Sequence, residues 1–289
     1  MTTAEAQAAP ATAPAPRDAN DLRGYRMRLL LGKPWILAVG LSAAIVVGVV
    51  VGVVTKSAAI GVAAGAVELL VDLVILFFVA DSQAEDDFFR AYAGARGLAW
   101  SDDRGGLPPA TSLLRKGDGR FTEMTLTGQL PNGPNGVLAH YTYEDESTDS
   151  DGNRQTSYYH FTVVFCDLPE VTSVVSQLAL QRRSGFRFLD STEDKFRKRQ
   201  RVEVESEAFD KRYEAFIGHD DDMNKARQIF EPTFIVWLTE RAPKGFWFEL
   251  EDGALCIAVK GQLESSDKLD ELCAASGTVG GRLSSEAKE

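Results

Sequence analysis

The sequence is poor in the residues that carry covalent and metal chemistry. Cysteine occurs three times in 289 residues, as Cys166, Cys256 and Cys273, and histidine also three times. The cysteines form no CxxC pair, have no histidine at metal-ligand spacing, and are odd in number, so they cannot all pair within one chain. Structural zinc needs four well-spaced ligands. Zinc and thiol redox chemistry are therefore set aside, and the thiols read as reduced, buried, small apolar groups. Also missing are a nucleophile elbow, a Gly-rich loop to cradle phosphate and a paired-carboxylate signature. The sequence thus gives no reason to expect a catalytic residue, a metal or a cofactor.

Large apolar side chains are missing from the start of the chain. Met1 to Asn20 is rich in Ala and Pro and holds no large aliphatic or aromatic residue after Met1. Such a segment cannot bury enough surface to offset its ordering entropy, which predicts a disordered tail. Residues 1–33 form that tail plus a basic stretch with Arg17, Arg23, Arg26, Arg28 and Lys33.

Charge is what the next segment lacks. Pro34 to Val54 is a run of 21 residues without a charge, and Ala58 to Ala80 is a run of 23 interrupted only by Glu68 and Asp72. At about 1.5 Å per residue each is long enough, as a helix, to cross a hydrocarbon core of about 30 Å. A cleaved signal peptide is the alternative, but the first run exceeds its usual apolar length and a second follows directly. Only Thr55, Lys56 and Ser57 separate the runs, so residues 34–54 and 58–80 are expected to form an antiparallel transmembrane hairpin. The basic residues before it, against the lone Lys56 in its turn, place the N-terminus in the cytoplasm by the positive-inside rule. Two crossings return the rest of the chain to the same side, giving a plasma-membrane protein with both termini cytoplasmic. Trp35 and the Phe77–Phe78 pair suit the membrane interfaces.

Within the hairpin Gly40, Ala44, Gly48 and Gly52 repeat every four residues, and Gly61 and Gly65 repeat the spacing in the second helix. Small residues at this interval let helix backbones approach closely. Gly61, Gly65, Glu68 and Asp72 fall on one stripe of a 3.6-residue helix, so both acids share the close-packing face. A carboxylate at the centre of a membrane helix costs roughly 2.5–3.5 kcal/mol, and the first helix offers no Lys or Arg to pair with it. Glu68 is then protonated, hydrogen-bonded across an interface, or matched by a basic group on another protein. Gly48, Gly52, Gly61, Gly65, Glu68 and Asp72 are accordingly the candidate helix-packing and partner stripe. Membrane lipid, a second copy of the chain, or another membrane protein is the partner it fits.

Asp81 to Glu289 carries 25 Lys plus Arg against 37 Asp plus Glu, a formal net charge of −12. Such a surface repels polyanions, so nucleic acid is not an expected partner. Residues 81–280 read as a cytoplasmic domain and 281–289 as a polar tail. Asp81 to Leu98 reads as a charged helical extension with Phe88, Phe89 and Tyr92 on one side. Arg120 to Leu130, Gly136 to Glu144 and Thr156 to Leu168 read as strands of an antiparallel meander, the first two joined by the turn-rich Pro131 to Gly136. The acidic stretch Asp145 to Asn153 resembles a calcium loop superficially, but the ligand positions fail at both ends and an exposed hairpin loop is expected instead. A hairpin centred near Ser150 sets His140 opposite His160, a cross-strand pair more suited to packing than to metal binding or pH sensing.

Glu170 to Arg183 is ambiguous. Lys195, Arg197, Lys198, Arg199 and Arg201 put five basic residues within seven positions. In an acidic domain this cluster is the candidate contact with an anionic leaflet, worth about 1 kcal/mol per charge near the surface. The reading preferred over that contact is a solvated strand edge or loop whose charges pair with Glu203, Glu205 and Glu207. Beyond it come a strand from Val202, a strand over Arg212 to Ile217, a helix capped by Asp220–Asp222, and a second helix restarted at Pro232. A hairpin then turns at Asp252–Gly253, and a last helix is expected near Ser266 to Ala275.

The stretch RVEVESEAFDKRYEAFIGHDDDMNKARQIFEPTFIVWLTE, followed by FWFELEDGALCIAV, resembles a family of bacterial membrane-anchored proteins that share a domain of unknown function. Phe209, Phe216, Ala226, Arg227, Pro232 and Phe234 carry the resemblance, which extends over Phe88 to Val259. It implies the membrane-plus-α+β architecture and transfers no activity. The expected fold is α+β: a two-helix transmembrane hairpin followed by a soluble domain with a mainly antiparallel sheet and flanking helices. The expected function is a noncatalytic membrane-tethered scaffold or partner-binding module. The competing reading is a membrane-associated enzyme or transporter accessory subunit that uses Glu68 and Asp72.

Overall fold

The structure is a computed structural model that describes residues 16–150, 152–183 and 199–288. The chain divides into two compact units, residues 16–92 with 264–266 and residues 93–263 with 267–288.

The first unit is helical. Helix α1 spans Ala19–Leu31, α2 spans Pro34–Thr55, and α3 spans Ala58–Arg96, its last turn belonging to the second unit. Asp18 caps α1 by accepting the Asn20 N–H, and Pro34 opens α2, where its missing N–H costs nothing. The turn between α2 and α3 is as tight as the sequence requires. Lys56 takes a left-handed conformation (φ 53°), and the Ser57 N–H returns to the Gly52 carbonyl at 3.1 Å. The apolar stretches of α2 and α3 are long enough to cross a membrane and are almost wholly unburied within the protein.

The basic stretch before the hairpin is the helix α1, whose Arg23 bonds Asp81 and Glu264 and whose Arg26 bonds Asp87 at 2.6 Å from Nε. The helical extension expected over Asp81 to Leu98 is continuous with the second apolar helix and runs unbroken to Arg96, since no Gly, Pro or cap interrupts Ala84 to Ala93. Phe88, Phe89 and Tyr92 are buried on one side of that extension.

The second unit is an antiparallel sheet with short helices and one long helix, so the fold class is α+β. Its strands are β1 (Ala99–Ser101), β2 (Gly119–Gln129), β3 (Asn135–Thr148), β4 (Arg154–Asp167), β5 (Gln177–Arg182), β6 (Gln200–Val202), β7 (Tyr213–Ile217), β8 (Trp247–Glu251) and β9 (Ala254–Lys260). Among the described residues they form one sheet in the order β1-β2-β3-β4-β9-β8-β5-β7-β6. The expected meander is its first half. The ambiguous Glu170 to Arg183 supplies a 3-10 turn and β5.

The helices are α4 (Ser112–Arg115), α5 (Glu207–Arg212), α6 (Met223–Ile229), α7 (Pro232–Glu240) and α8 (Ser266–Glu286). Residue Arg212, expected in a strand, ends α5, whose N-cap Ser206 accepts the Phe209 N–H. Helix α6 starts after Asp222, which caps it through the Asn224 N–H at 2.8 Å. The neighbouring Asp221 accepts N–H groups from Ser176, Gln177 and Gly218 at 2.8, 3.0 and 3.1 Å, fastening the start of β5 to the end of β7.

Helix α8 runs eleven residues past the expected end at Ala275, so residues 281–286 are helical rather than a frayed tail. Gly277 within it marks a close contact. A β-carbon on Gly277 would stand 2.2 Å from the Asn132 carbonyl oxygen, so only glycine lets the β2–β3 turn lie against the helix. The β8–β9 turn has positive φ at both Asp252 (48°) and Gly253 (83°), the backbone twist a two-residue hairpin needs.

Side chains alternate between the two faces of the sheet. One face carries Ala139, Tyr141, Phe161, Val163, Trp247 and Cys256, covered by Leu113 and Leu114 of α4. The opposite face carries Leu138, Val164, Phe248, Leu250, Leu255 and Ile257, and α8 lies on that side, where a β-carbon on Gly280 would stand 4.0 Å from the Leu255 side chain.

Candidate functional site

Within the first unit the glycines expected to form a partner stripe meet one another. A β-carbon on Gly61 would stand 2.5 Å from the Gly48 carbonyl oxygen and 2.8 Å from the Gly52 Cα, and one on Gly65 2.9 Å from the Ala44 carbonyl oxygen. The short turn brings α2 and α3 together, and Gly48, Gly52, Gly61 and Gly65 serve that contact inside the hairpin. The same glycines also line an open apolar groove of about 690 Å³ along the hairpin.

The acids remain. Asp72 lies against Gly40, where a β-carbon would come within 3.1 Å of its Oδ2, and that oxygen has no hydrogen-bond partner among the described residues. Glu68 is half-buried one turn earlier. An open apolar groove of about 670 Å³, lined in part by Leu37, Gly40, Asp72 and Leu73, passes over the Asp72 carboxylate.

Of the basic cluster, Lys195, Arg197 and Lys198 lie outside the described residues. Arg201, in β6, is 3.6 Å from the Asp210 carboxylate, an acid other than the Glu203, Glu205 and Glu207 named for the solvated edge. Arg199 is largely withdrawn from water, and burial pulls its guanidinium below the ordinary arginine range against the opposing charges of Glu249 and Glu251.

The two histidines are not opposite one another. His140 faces Thr162, and His160 faces Thr142. The hairpin is closed by an Asp149–Asn153 turn, with the Asn153 N–H on the Asp149 carboxylate at 2.8 Å. Its centre lies one residue later than expected, and every cross-strand partner moves by two. His160 Nδ1 is instead 2.8 Å from the Thr142 hydroxyl, which donates to Glu123 Oε1 at 2.7 Å, while His140 Nε2 meets the Leu263 carbonyl at 3.1 Å.

A buried, strongly perturbed carboxyl was not singled out from the sequence. Glu249, in the middle of β8, is 2% exposed and points into the apolar face beneath α4. Both its carboxylate oxygens accept the Leu113 N–H, each at 3.2 Å. Burial raises its pKa to about 7, opposed by the N–H groups of Leu113 and Ser112 and by the charge of Arg199, and reinforced by Glu251. Its cross-strand neighbour is Cys256, whose thiol is pushed well up by the same burial; Cys166 is pushed up to about 12. Neither thiol has the depressed pKa of a reactive cysteine. Two residues along, Glu251 is bonded by Arg115 of α4 at 2.6 Å. The sequence did contain a signal: in Phe246–Glu251 the acids Glu249 and Glu251 share the parity of Trp247, which a half-buried strand aims inward.

No family model matches this chain, and no curated protein matches it. Among solved structures, the crystal structure of the mycobacterial trehalose monomycolate transport factor A is similar over 66% of this chain and 89% of that one, at 10% identity and a TM-score of 0.40, a likeness too slight to carry an argument.

Proposed function

We propose that this chain is a membrane-tethered scaffold or partner-binding module, held by the α2–α3 hairpin with its large α+β domain and both termini on the cytoplasmic side. The observation that carries the reading is the exposure of the hairpin. Val46, Val53, Val62, Leu70 and Phe78 are each more than half exposed, and no other part of the described protein covers them. Apolar surface of this extent has a favourable environment only in lipid or against another membrane protein. The orientation rests on the basic residues that precede the hairpin. The resemblance to membrane-anchored bacterial proteins of unknown function belongs to the same reading.

Partner docking within the membrane is read on the same stripe, where Gly48, Gly52, Gly61 and Gly65 line one open apolar groove and the Asp72 carboxylate borders another. A second copy of the chain, or another membrane protein offering a donor, is the partner that fits it. The same carboxylate supports the second reading, a membrane-associated enzyme or transporter accessory subunit acting through Glu68 and Asp72.

The test of the anchor is fractionation with protease protection. The full-length chain should pellet with membranes unless detergent is added, and protease applied outside intact cells should leave the C-terminal domain uncut. Recovery in the detergent-free supernatant, or digestion from outside, would sink the proposal. For docking, replacing Glu68 and Asp72 together by Leu should reduce the assembly size in detergent; an unchanged size removes the acids as the contact.

A further inference from the structure

The connection between β1 and β2, Asp102 to Asp118, does not take the short way between neighbouring strands. β1 and β2 lie at one edge of the sheet, yet α4 in the middle of this connection reaches β8, four strands in from β2. It crosses the apolar face as a strap, with Leu113 and Leu114 fully buried and Leu107 and Ala110 partly buried against the cluster that includes Tyr141, Phe161, Trp247 and Cys256. Its two ends are fixed by backbone bonds, Thr122 N–H to the Gly105 carbonyl at 3.0 Å and Asp118 N–H to the Glu144 carbonyl at 2.7 Å.

The middle of the strap is fastened differently. Leu113 N–H rests on the Glu249 carboxylate, the Tyr141 hydroxyl donates to the Leu113 carbonyl at 3.3 Å, and Arg115 bonds Glu251. Side chains, two of them carboxylates, thus tie the centre of the strap to the sheet. The hydroxyl of Ser112, next to this fastening, is buried without a hydrogen-bond partner among the described residues, so the closed arrangement leaves polar capacity unused.

We propose that the strap is a pH-sensitive cover on the apolar face of the sheet, held down at Glu249 and freed as that carboxyl ionises. Under the closed strap Glu249 is removed from water and shares one N–H between two oxygens. Lifting the strap returns it to solvent. The charged groups facing it are Arg199, Glu251 and Arg115, and the other titratable neighbours are Cys256 and Tyr141. Arg199 favours the ionised form, Glu251 disfavours it, and Glu251 is itself engaged by Arg115, so burial decides the balance.

The sign follows from linkage. The carboxyl holds its proton more tightly under the closed strap, up to about 7, than in water, where 4.5 is its ordinary value. Closure is therefore most favourable below pH 4.5, weakens as pH rises towards 7, and levels off above it. The population with the strap open should rise about 50-fold between pH 5 and pH 7.5.

Hydrogen exchange on the full-length protein in detergent micelles tests this without any variant. After correction for intrinsic rates, Leu113 to Lys116 should exchange faster than the centre of β4 and with little dependence on added urea. Their protection should fall with pH over this window. Exchange of the strap only together with β4, with the same urea dependence, would show that it opens only on global unfolding and overturn the proposal. A Glu249→Gln chain should lose the pH dependence; retention of the wild-type profile in that variant would overturn it as well.

Discussion

Gly61 of α3 is in backbone contact with Gly48 of α2, so close that a single methyl group on Gly61 would stand 2.5 Å from the Gly48 carbonyl oxygen. Nothing at that position can yield except a helix axis. Gly61→Leu should force the helices apart at a cost of about 1–3 kcal/mol. The expected result is a lower melting temperature of the hairpin in detergent. A melting temperature equal to that of the wild type would refute the contact.

A second glycine contact lies in the sheet domain. At Gly277 a β-carbon would meet the Asn132 carbonyl at 2.2 Å, and Asn132 already has a positive φ of 52°. Gly277→Ala should lower stability by about 1–3 kcal/mol, whereas Gly281→Ala, where a β-carbon meets nothing within 4 Å, should be neutral or slightly stabilising. For a unit of this size the first change is expected to lower Tm by roughly 2–4 °C per kcal/mol, measured by calorimetry.

Asp221 is the joint between β5 and β7. Removing its carboxylate in Asp221→Ala leaves the N–H groups of Ser176, Gln177 and Gly218 without their acceptor, and should cost about 1–3 kcal/mol. Asp222→Ala, which removes only the N-cap of α6, should cost about 1 kcal/mol. If the urea midpoints of the two variants come out in the reverse order, the assignment of Asp221 as the fastening residue is wrong.

Global stability should also respond to Glu249. Because its pKa in the folded domain is raised to about 7, the stability it contributes is present in full below pH 4.5 and is lost as pH rises through 7. Urea midpoints should fall between pH 5 and pH 7.5 and then level, and Glu249→Gln should flatten this window. A midpoint rising with pH in the wild type but not in the variant would contradict the assignment.

Much of this architecture could be read from local signals. The uncharged runs marked α2 and α3, Asp252–Gly253 marked the β8–β9 turn, Pro232 opened α7 and Asp222 capped α6, because each depends on a few adjacent residues. What escaped depends on distant ones. The continuation of α8 past Ala275 depends in part on the β2–β3 turn, where Asn132 lies against Gly277. The histidine register slipped by two because the five-residue Asp149–Asn153 turn moved the centre of the hairpin by one residue. Glu249 was hidden because only the long strap from β1 to β2 brings Leu113 over it. The strand order past β4, where β9 and β8 intervene before β5, has no local signature at all.

The outermost strands of the sheet bear on how other molecules can engage it. β1 and β6 are each three residues long, and β2 beyond β1 is bulged between Thr122 and Met124 and bridged by Gly105. Among the described residues neither margin offers a long straight row of free amides and carbonyls, so a visiting peptide has little to zip onto. Along the described margins strand addition by an extended peptide is disfavoured, which leaves the side chains of the faces and loops as the contact surface.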